Sequence, residues 1–176
     1  MITAMPLPAA LPHAPHPDAL GVRRAHPGDA AALVTLSEPF VRSGALRERP
    51  CHVYAAQAAD FLVAEGADGA LQGCLAVRVH PGTGPEADRG TAAAGVLYNF
   101  CVARQRQGGG LGARLLGAAF AGARAQSLGF LFTATTGSGR LFLRHGFVPA
   151  RPGLAPLAWA RTLDPRRGAR VLARAL

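Results

Sequence analysis

The sequence contains no lysine; all 19 of its basic residues are arginine. Against 10 acidic residues this leaves a net charge of +9. With 22 glycines and 14 prolines alongside, an arginine-only basic set reads as GC-rich coding bias more than as selection for a polyanion. Aromatic residues make up only 6% of the chain and the arginines are scattered. The stacking surface and the basic patch of a nucleic-acid module are therefore both missing. The charge suits an anionic small ligand equally well. The three cysteines, Cys51, Cys74 and Cys101, lie far apart and show no Cys-x-x-Cys or Cys/His spacing. That argues against a disulfide framework and against a zinc site. Cys74 and Cys101 fall inside apolar runs, as small buried hydrophobes do. No apolar run is long enough to span a membrane. The N-terminus lacks the basic start and apolar stretch of a secretory signal. These absences set the expectation of a cytoplasmic protein with no metal, no nucleic-acid partner and no membrane association.

What is present is enough for one domain. The chain has 176 residues, 49% of them hydrophobic, which is sufficient to bury a real core. Residues 1–18, "MITAMPLPAALPHAPHPD", hold five prolines and no periodicity, and read as a disordered arm before a domain at 19–176. His13 and His16 lie in that arm and read as solvated. Strands are expected at 20–25, 60–66, 71–80, 95–103 and 129–136, at "FVPA" after Gly146, and at the C-terminal "GARVLARAL". Helices are expected at 26–44, where Pro39 should kink or split the run, at 51–58, from Leu111 onward, and at 137–146. Residues 81–94 read as a long polar loop. Strands alternating with helices around near-continuous apolar strands make an α/β plan, with a mixed sheet flanked by helices.

The stretch "CVARQRQGGGLGARLL", residues 101–116, carries the chemistry. An apolar strand stops, three glycines follow, and a helical pattern begins at once. Backbone N–H groups in such a turn can converge on one anion, and the helix adds its own unpaired N–H groups and the positive end of its dipole. Gly108, Gly109 and Gly110 remove side chains that would block close approach, and Gly112 sits one turn further in. The loop suits a pyrophosphate. No Gly-Lys-Ser/Thr follows, so it is not a Walker loop, and the spacing is not that of a dinucleotide fingerprint. A glycine-rich strand-to-helix turn without a ligand is the alternative.

Gln107-x-x-Gly110-x-Gly112 after an apolar strand resembles the acetyl-CoA loop of the GNAT superfamily of N-acetyltransferases. "GRLFLRHGFVPA" resembles the superfamily's later helix and strand, with Phe142 where a tyrosine often stands. A closer resemblance is to the acetyltransferase domain of bacterial N-acetylglutamate synthases. It rests on "GVRRAHPGDAAALVTLSEPFVRSGALRERP", on "LFTATTGSGRLFLRHGF" and on the ending "RRGARVLARAL", and so runs through nearly the whole chain after the arm. Nothing here is long enough to be that family's amino-acid-kinase domain, so a stand-alone acetyltransferase domain is expected. The resemblance implies acetyl-CoA as co-substrate and a small amine or amino acid, such as L-glutamate, as acceptor. The amine would attack the thioester directly in a ternary complex. A homodimer is compatible with the sequence, which contains nothing that specifies it.

The resemblance also implies roles. Phe100, Cys101 and Val102 would meet the pantetheine arm. Gln107, Gly108, Gly109, Gly110, Leu111, Gly112 and Ala113 would hold the pyrophosphate, and Ser138 and Arg140 the far end of the cofactor. Arg49 and Arg167 match arginines that would clamp a carboxylate, for which the guanidinium fork is suited. Two positions depart from the family. Val96 stands where a glutamate commonly helps deprotonate the amine, and Ala169 stands where a serine is expected. That leaves His80, at a strand end, as the candidate base, with Tyr98 and Asn99 as the other polar groups able to bind substrate or order a water. His145, at a helix end, reads as structural. Acetylation of another small amine, or acetyl-CoA binding without turnover, are the readings favoured by Val96.

Overall fold

The computed structural model describes residues 21–81 and 93–176. The arm at 1–18 and most of the polar loop at 81–94, with Glu86 and Asp88, lie outside the described residues.

The elements run β1 (Gly21–Arg24), α1 (Ala30–Arg42), α2 (Cys51–Ala56), β2 (Phe61–Glu65), β3 (Leu71–His80) and β4 (Ala94–Val102). They continue with α3 (Leu111–Ala125), β5 (Phe130–Thr135), α4 (Arg140–Arg144), β6 (Val148–Pro149), α5 (Leu157–Ala160) and β7 (Arg170–Ala175). The strands form one mixed sheet in the order β1-β2-β3-β4-β5-β7-β6. Among the described strands only β4 and β5 pair in parallel, through the crossover helix α3. The α3 stripe of Leu111, Leu115, Leu116, Ala119, Phe120 and Ala123 is buried against one sheet face with Leu75, Leu97 and Leu131. On the other face, Leu33 and Leu36 of α1 and Tyr54 of α2 pack on Phe61, Val63 and Cys74. The central strands are apolar on both faces because both are covered.

Two expectations are adjusted and one element is added. Helix α1 is not split at Pro39; the helix continues through it to Arg42. Leu36 before the proline and Phe40 after it both pack on the same core cluster, which holds the turn across the missing N–H. The helix expected at 137–146 is only Arg140–Arg144, with Gly139 and Gly146 both left-handed at its ends. Helix α5, after Pro156, was not read from the sequence at all.

One ion-pair group ties the chain's start to the sheet. Arg23 donates to both carboxylate oxygens of Asp29 (2.8 and 2.9 Å) and to Glu65 (2.6 and 2.8 Å). Asp29 also accepts the His26 amide at 2.8 Å. The Arg23 hydrogen bonds hold the buried Asp29 carboxyl down at about 2, from 3.8. A carboxylate depressed on folding stabilises above its unfolded value and loses that contribution as pH falls through its folded one. Asp29→Asn should therefore cost about 1–2 kcal/mol at neutral pH, discounted because Arg23 is partly exposed. In urea titrations, the gap to the parent protein should narrow as pH drops below 3.8 toward 2. A gap that is constant from pH 7 to 3 would show that the ion pair contributes nothing.

Candidate active site

The site is built on β4. In the β3–β4 ladder Cys74 pairs with Cys101 and Ala76 with Tyr98, so two steps on β3 oppose three on β4. The extra residue is a bulge, and Asn99 within it has φ +48°. Asparagine tolerates this backbone region better than most residues. Its side chain is fastened in the core: Tyr54 donates to Oδ1 at 3.2 Å and Nδ2 donates to the Ser37 hydroxyl at 3.1 Å. Asn99 thus shapes the strand, and its amide is occupied by the protein.

The parallel ladder between β4 and β5 ends at Leu97–Thr133, where the Thr133 hydroxyl donates to the Leu97 carbonyl at 3.2 Å. Both strands continue past that point, β4 as far as Val102. Two cavities meet β4 along this stretch. One, of about 510 Å³, is lined by Val96, Leu97, Tyr98 and Asn99. The other, of about 560 Å³, is lined by Phe100, Cys101 and Val102. One strand therefore serves two neighbouring binding volumes through consecutive residues.

The second cavity contains the glycine loop. Gly108, Gly110, Gly112, Ala113 and Gln107 line it. Gly108 and Gly110 have φ +80° and +83°, and a Cβ at either would point into open space. Gly110 caps α3 with no side-chain bond to the helix, and no acidic residue occupies the first turn. The helix N-terminus is left to receive an anion. Gln107 braces the loop by donating to the Val102 carbonyl at 2.9 Å. Gly112 is required for a different reason: a Cβ there would lie 3.0 Å from Leu141 and 3.3 Å from Phe100, so it lets α4 and β4 pack against α3.

The remaining cofactor candidates divide. Gly109 and Leu111 flank the cavity without lining it, Leu111 being buried in the core. Ser138 and Arg140 are exposed, bonded only locally (the Arg140 amide to the Ser138 hydroxyl, 3.5 Å), and do not line it. Helix α4 contributes Leu141, Arg144 and His145 instead, and the loop contributes Arg106. Sequence reasoning missed Arg106 and Arg144 and took His145 as structural. The last does bond its own helix, Nδ1 to the Leu141 carbonyl at 2.8 Å. The i, i+3, i+4 spacing of residues 141, 144 and 145 was the available signal. Phe142 is buried edge-on to Phe100 and Phe147, so no hydroxyl stands at that position.

The first cavity gathers His80, Tyr98, Asn99, Arg49 and Arg167, together with both family departures, Val96 and Ala169. Tyr98 donates to Asp60 at 2.7 Å and accepts from Arg78 at 3.2 Å. Burial and the Asp60 carboxylate push its phenol well up, so it stays protonated. Its ring carries Arg49 at 4.9 Å. Arg49 Nε is buried without a hydrogen-bond partner, an arrangement that asks for an acceptor atom from a ligand. Arg167 donates to the carbonyls of Gly44 (2.7 Å) and Ala45 (3.3 Å), and Arg47 donates to that of Thr162 (2.9 Å). These bonds tie the α1–α2 loop to the C-terminal segment across the cavity. His80 lies two register pairs beyond Arg78–Val96, half-buried, and burial together with Arg78 lowers its pKa from 6.5. Among the described residues no three His, Cys, Asp or Glu side chains form a metal cluster, and no helix is long and apolar enough to cross a membrane.

The comparisons with known proteins agree with this geometry. Residues 57–149, more than half of the chain, match the model of the acetyltransferase (GNAT) domain. The chain is 36% identical over 135 residues to an amino-acid acetyltransferase of Ralstonia nicotianae, covering 77% of this chain and 28% of that protein. It is similar to the N-acetylglutamate synthase of Neisseria gonorrhoeae complexed with coenzyme A and N-acetyl-glutamate, at 31% identity and TM-score 0.75, covering 89% of this chain and 35% of that one. A Mycobacterium tuberculosis protein in complex with CoA shares the fold at 21% identity and TM-score 0.71, over 89% of this chain and 99% of that one. The chain therefore spans about a third of the length of the first two relatives. The split β4–β5 pair, the uncapped helix behind a glycine loop and the family match converge on one conclusion: this chain belongs to the acetyltransferase (GNAT) family.

Proposed function

We propose that the protein transfers the acetyl group of acetyl-CoA to the α-amine of a small amino acid, by direct attack within a ternary complex. The observation that carries this is the division of β4 between two cavities, one ending at the glycine loop and the other at Arg49. Acetyl-CoA would place its pyrophosphate on Gly108, Gly110 and the N-terminus of α3, near Arg106. Its pantetheine arm would run along Phe100–Val102, where β4 has parted from β5. The thioester then arrives at the bulge, at the edge of the other cavity. The acceptor's carboxylate meets Arg49, whose buried Nε lacks a partner. This holds both reactants in one geometry and removes the entropic cost of their encounter from the chemical step.

The C–N bond forms as the C–S bond breaks. One ammonium proton must leave first, and a second, shed by the nitrogen as the amide forms, protonates the departing thiolate so that CoA leaves as the thiol. Tyr98 is unsuited to take the proton, because its own proton is committed to Asp60. His80 takes it, through water, since burial and Arg78 favour its neutral form at pH 7. Among the described residues, Arg78 and Asp60 act on His80, and Arg47, Arg49, Tyr98, Asp164 and Arg167 line the same cavity. The expected profile is a kcat that rises with pH to a plateau, with its inflection below 6.5. His80→Ala should replace that plateau with a slow rate that climbs into the alkaline range, where the amine is already neutral. Identical profiles for the two proteins would remove His80 from the mechanism. A substrate screen with thiol detection tests the reading as a whole; acetyl-CoA binding without turnover of any amino acid would favour a binding module. The acceptor L-glutamate would need a second clamp, which Arg167 could supply only from the donors it has not given to Gly44 and Ala45.

A further inference from the structure

Two buried thiols take no part in the chemistry above. Cys74 on β3 and Cys101 on β4 are direct partners in the antiparallel ladder. Their Sγ atoms lie 3.5 Å apart, although the residues are 27 positions apart in the chain. Directly opposed residues of an antiparallel pair have Cα atoms about 4.5–5.5 Å apart, inside the span of about 4.4–6.8 Å that a disulfide bridges. Both thiols are free, and the pair is set by strand register, with no Cys-x-x-Cys spacing to announce it.

The two sulfurs differ in access. Cys101 lines the cavity that contains the glycine loop, whereas Cys74 does not line it and is fully buried. The contact with Cys101 and burial push the Cys74 thiol well up, so it stays protonated. An oxidant small enough to enter the cavity therefore meets Cys101 first, and Cys74 stands behind it in the place of a resolving thiol. Both sulfurs also border the bulge. Cys74 donates to the Asn99 carbonyl at 3.3 Å, Asn99 Nδ2 donates to the Cys74 sulfur at 3.7 Å, and Cys101 Sγ lies 4.0 Å from the Ser37 hydroxyl. A bridge would bring the sulfurs from 3.5 Å to about 2.05 Å. It would take the thiol donor away from the Asn99 carbonyl and draw the Cys101 sulfur back from the cavity wall, beside Phe100 and Val102.

We propose that Cys74 and Cys101 are a peroxide-sensitive dithiol whose disulfide opposes acetyl-CoA binding. The O–O bond of the peroxide breaks as Cys101 Sγ takes one oxygen, giving a sulfenic acid and one water. Cys74 Sγ then attacks Cys101 Sγ. The S–O bond breaks, and the hydroxyl leaves with the Cys74 proton as a second water. Two thiols are oxidised and one peroxide is reduced, and an added thiol restores the pair by exchange. The bridge rests on the strand register. Its effect on the cofactor rests on the pose proposed above, in which the pantetheine arm runs along Phe100–Val102.

The test uses the full chain carrying Cys51→Ser, which removes the exposed third thiol, treated with hydrogen peroxide and desalted. The intact mass should fall by two hydrogens, a peptide map should join β3 to β4 through Cys74 and Cys101, and dithiothreitol should reverse both. Calorimetry should find acetyl-CoA bound at least about tenfold more weakly by the bridged protein than by the reduced one. By reciprocity, saturating acetyl-CoA should make the pair harder to oxidise by the same factor in a glutathione redox buffer. With Cys74→Ser added, dimedone should trap the Cys101 sulfenic acid; with Cys101→Ser added instead, Cys74 should stay reduced. A treated protein that keeps both thiols, or that carries Cys101 oxidised to the sulfinic acid beside a free Cys74, overturns the inference. So does a bridged protein that binds acetyl-CoA as tightly as the reduced one, a result that leaves the acetyl-transfer reading intact. Reduced protein that binds no acetyl-CoA overturns that reading and the inference together.

Discussion

Gly109→Asp should raise the dissociation constant for acetyl-CoA at least about a hundredfold, close to 2.8 kcal/mol, while the melting temperature holds or rises. The two opposite signs come from one feature. The N-terminus of α3 has no side-chain cap and no acid in its first turn, so a carboxylate placed just ahead of it is welcome to the helix, by about 0.3–1 kcal/mol. In the proposed cofactor pose the same carboxylate would stand between Gly108 and Gly110, beside the pyrophosphate. At roughly 5 Å and an effective dielectric of about 20, one pair of like charges costs about 3 kcal/mol. Gly109 is the suitable position because its backbone is not left-handed and a Cβ there would meet only the Arg106 carbonyl, at 3.7 Å. Gly110→Val also obstructs the loop but forces a branched residue to φ +83°, so lost binding there would mix with strain. Gly109→Asn separates shape from charge and should lose far less affinity. Calorimetry that finds folded Gly109→Asp binding acetyl-CoA as the parent does would dissociate the loop from the cofactor.

Arg49→Ala should raise the KM of the acceptor by roughly 10- to 150-fold, the worth of a charge-assisted hydrogen bond of about 1.5–3 kcal/mol. The KM of acetyl-CoA should stay within about twofold, because the cavity proposed for the cofactor is the neighbouring one, which Arg49 does not line. Arg49→Lys should recover only part of the loss, since a point charge cannot present two parallel donors. Stability should move the other way. The buried Nε has no partner in the folded protein, so Arg49→Met, which keeps much of the stem over Tyr98, should match or exceed the parent in melting temperature. An equal rise in both KM values would mean that Arg49 supports the fold and not the acceptor.

The readability of the site followed its dependence on local pattern. The glycine loop, the strand before it and the apolar stripe of α3 are all written within residues 94–125, where backbone preferences and helical spacing act over a few residues. Arg49, Arg167, Val96 and Ala169 were singled out by resemblance while far apart in the chain, and the structure places all four on one cavity. Asn99 reads as a group able to bind substrate or order a water from its place in the central strand. Its part in the bulge depends on Ser37 and Tyr54, more than forty residues away. Arg167 reads as a free clamp; its tie to Gly44 spans 123 residues. Ser138 and Arg140 lie in the right segment, but the face of α4 that meets the cavity belongs to Leu141, Arg144 and His145.

Composition and spacing by themselves determined the class of fold, the glycine turn ahead of α3 and the absence of metal-ligand spacing, because each is a matter of residue type at short range. Tertiary structure decided which arginine stays available. Donors are allotted by distance and angle between segments remote in sequence. Of four guanidinium groups around one cavity, packing gives three of them carboxylate or carbonyl partners and leaves the buried Arg49 Nε with none among the described residues.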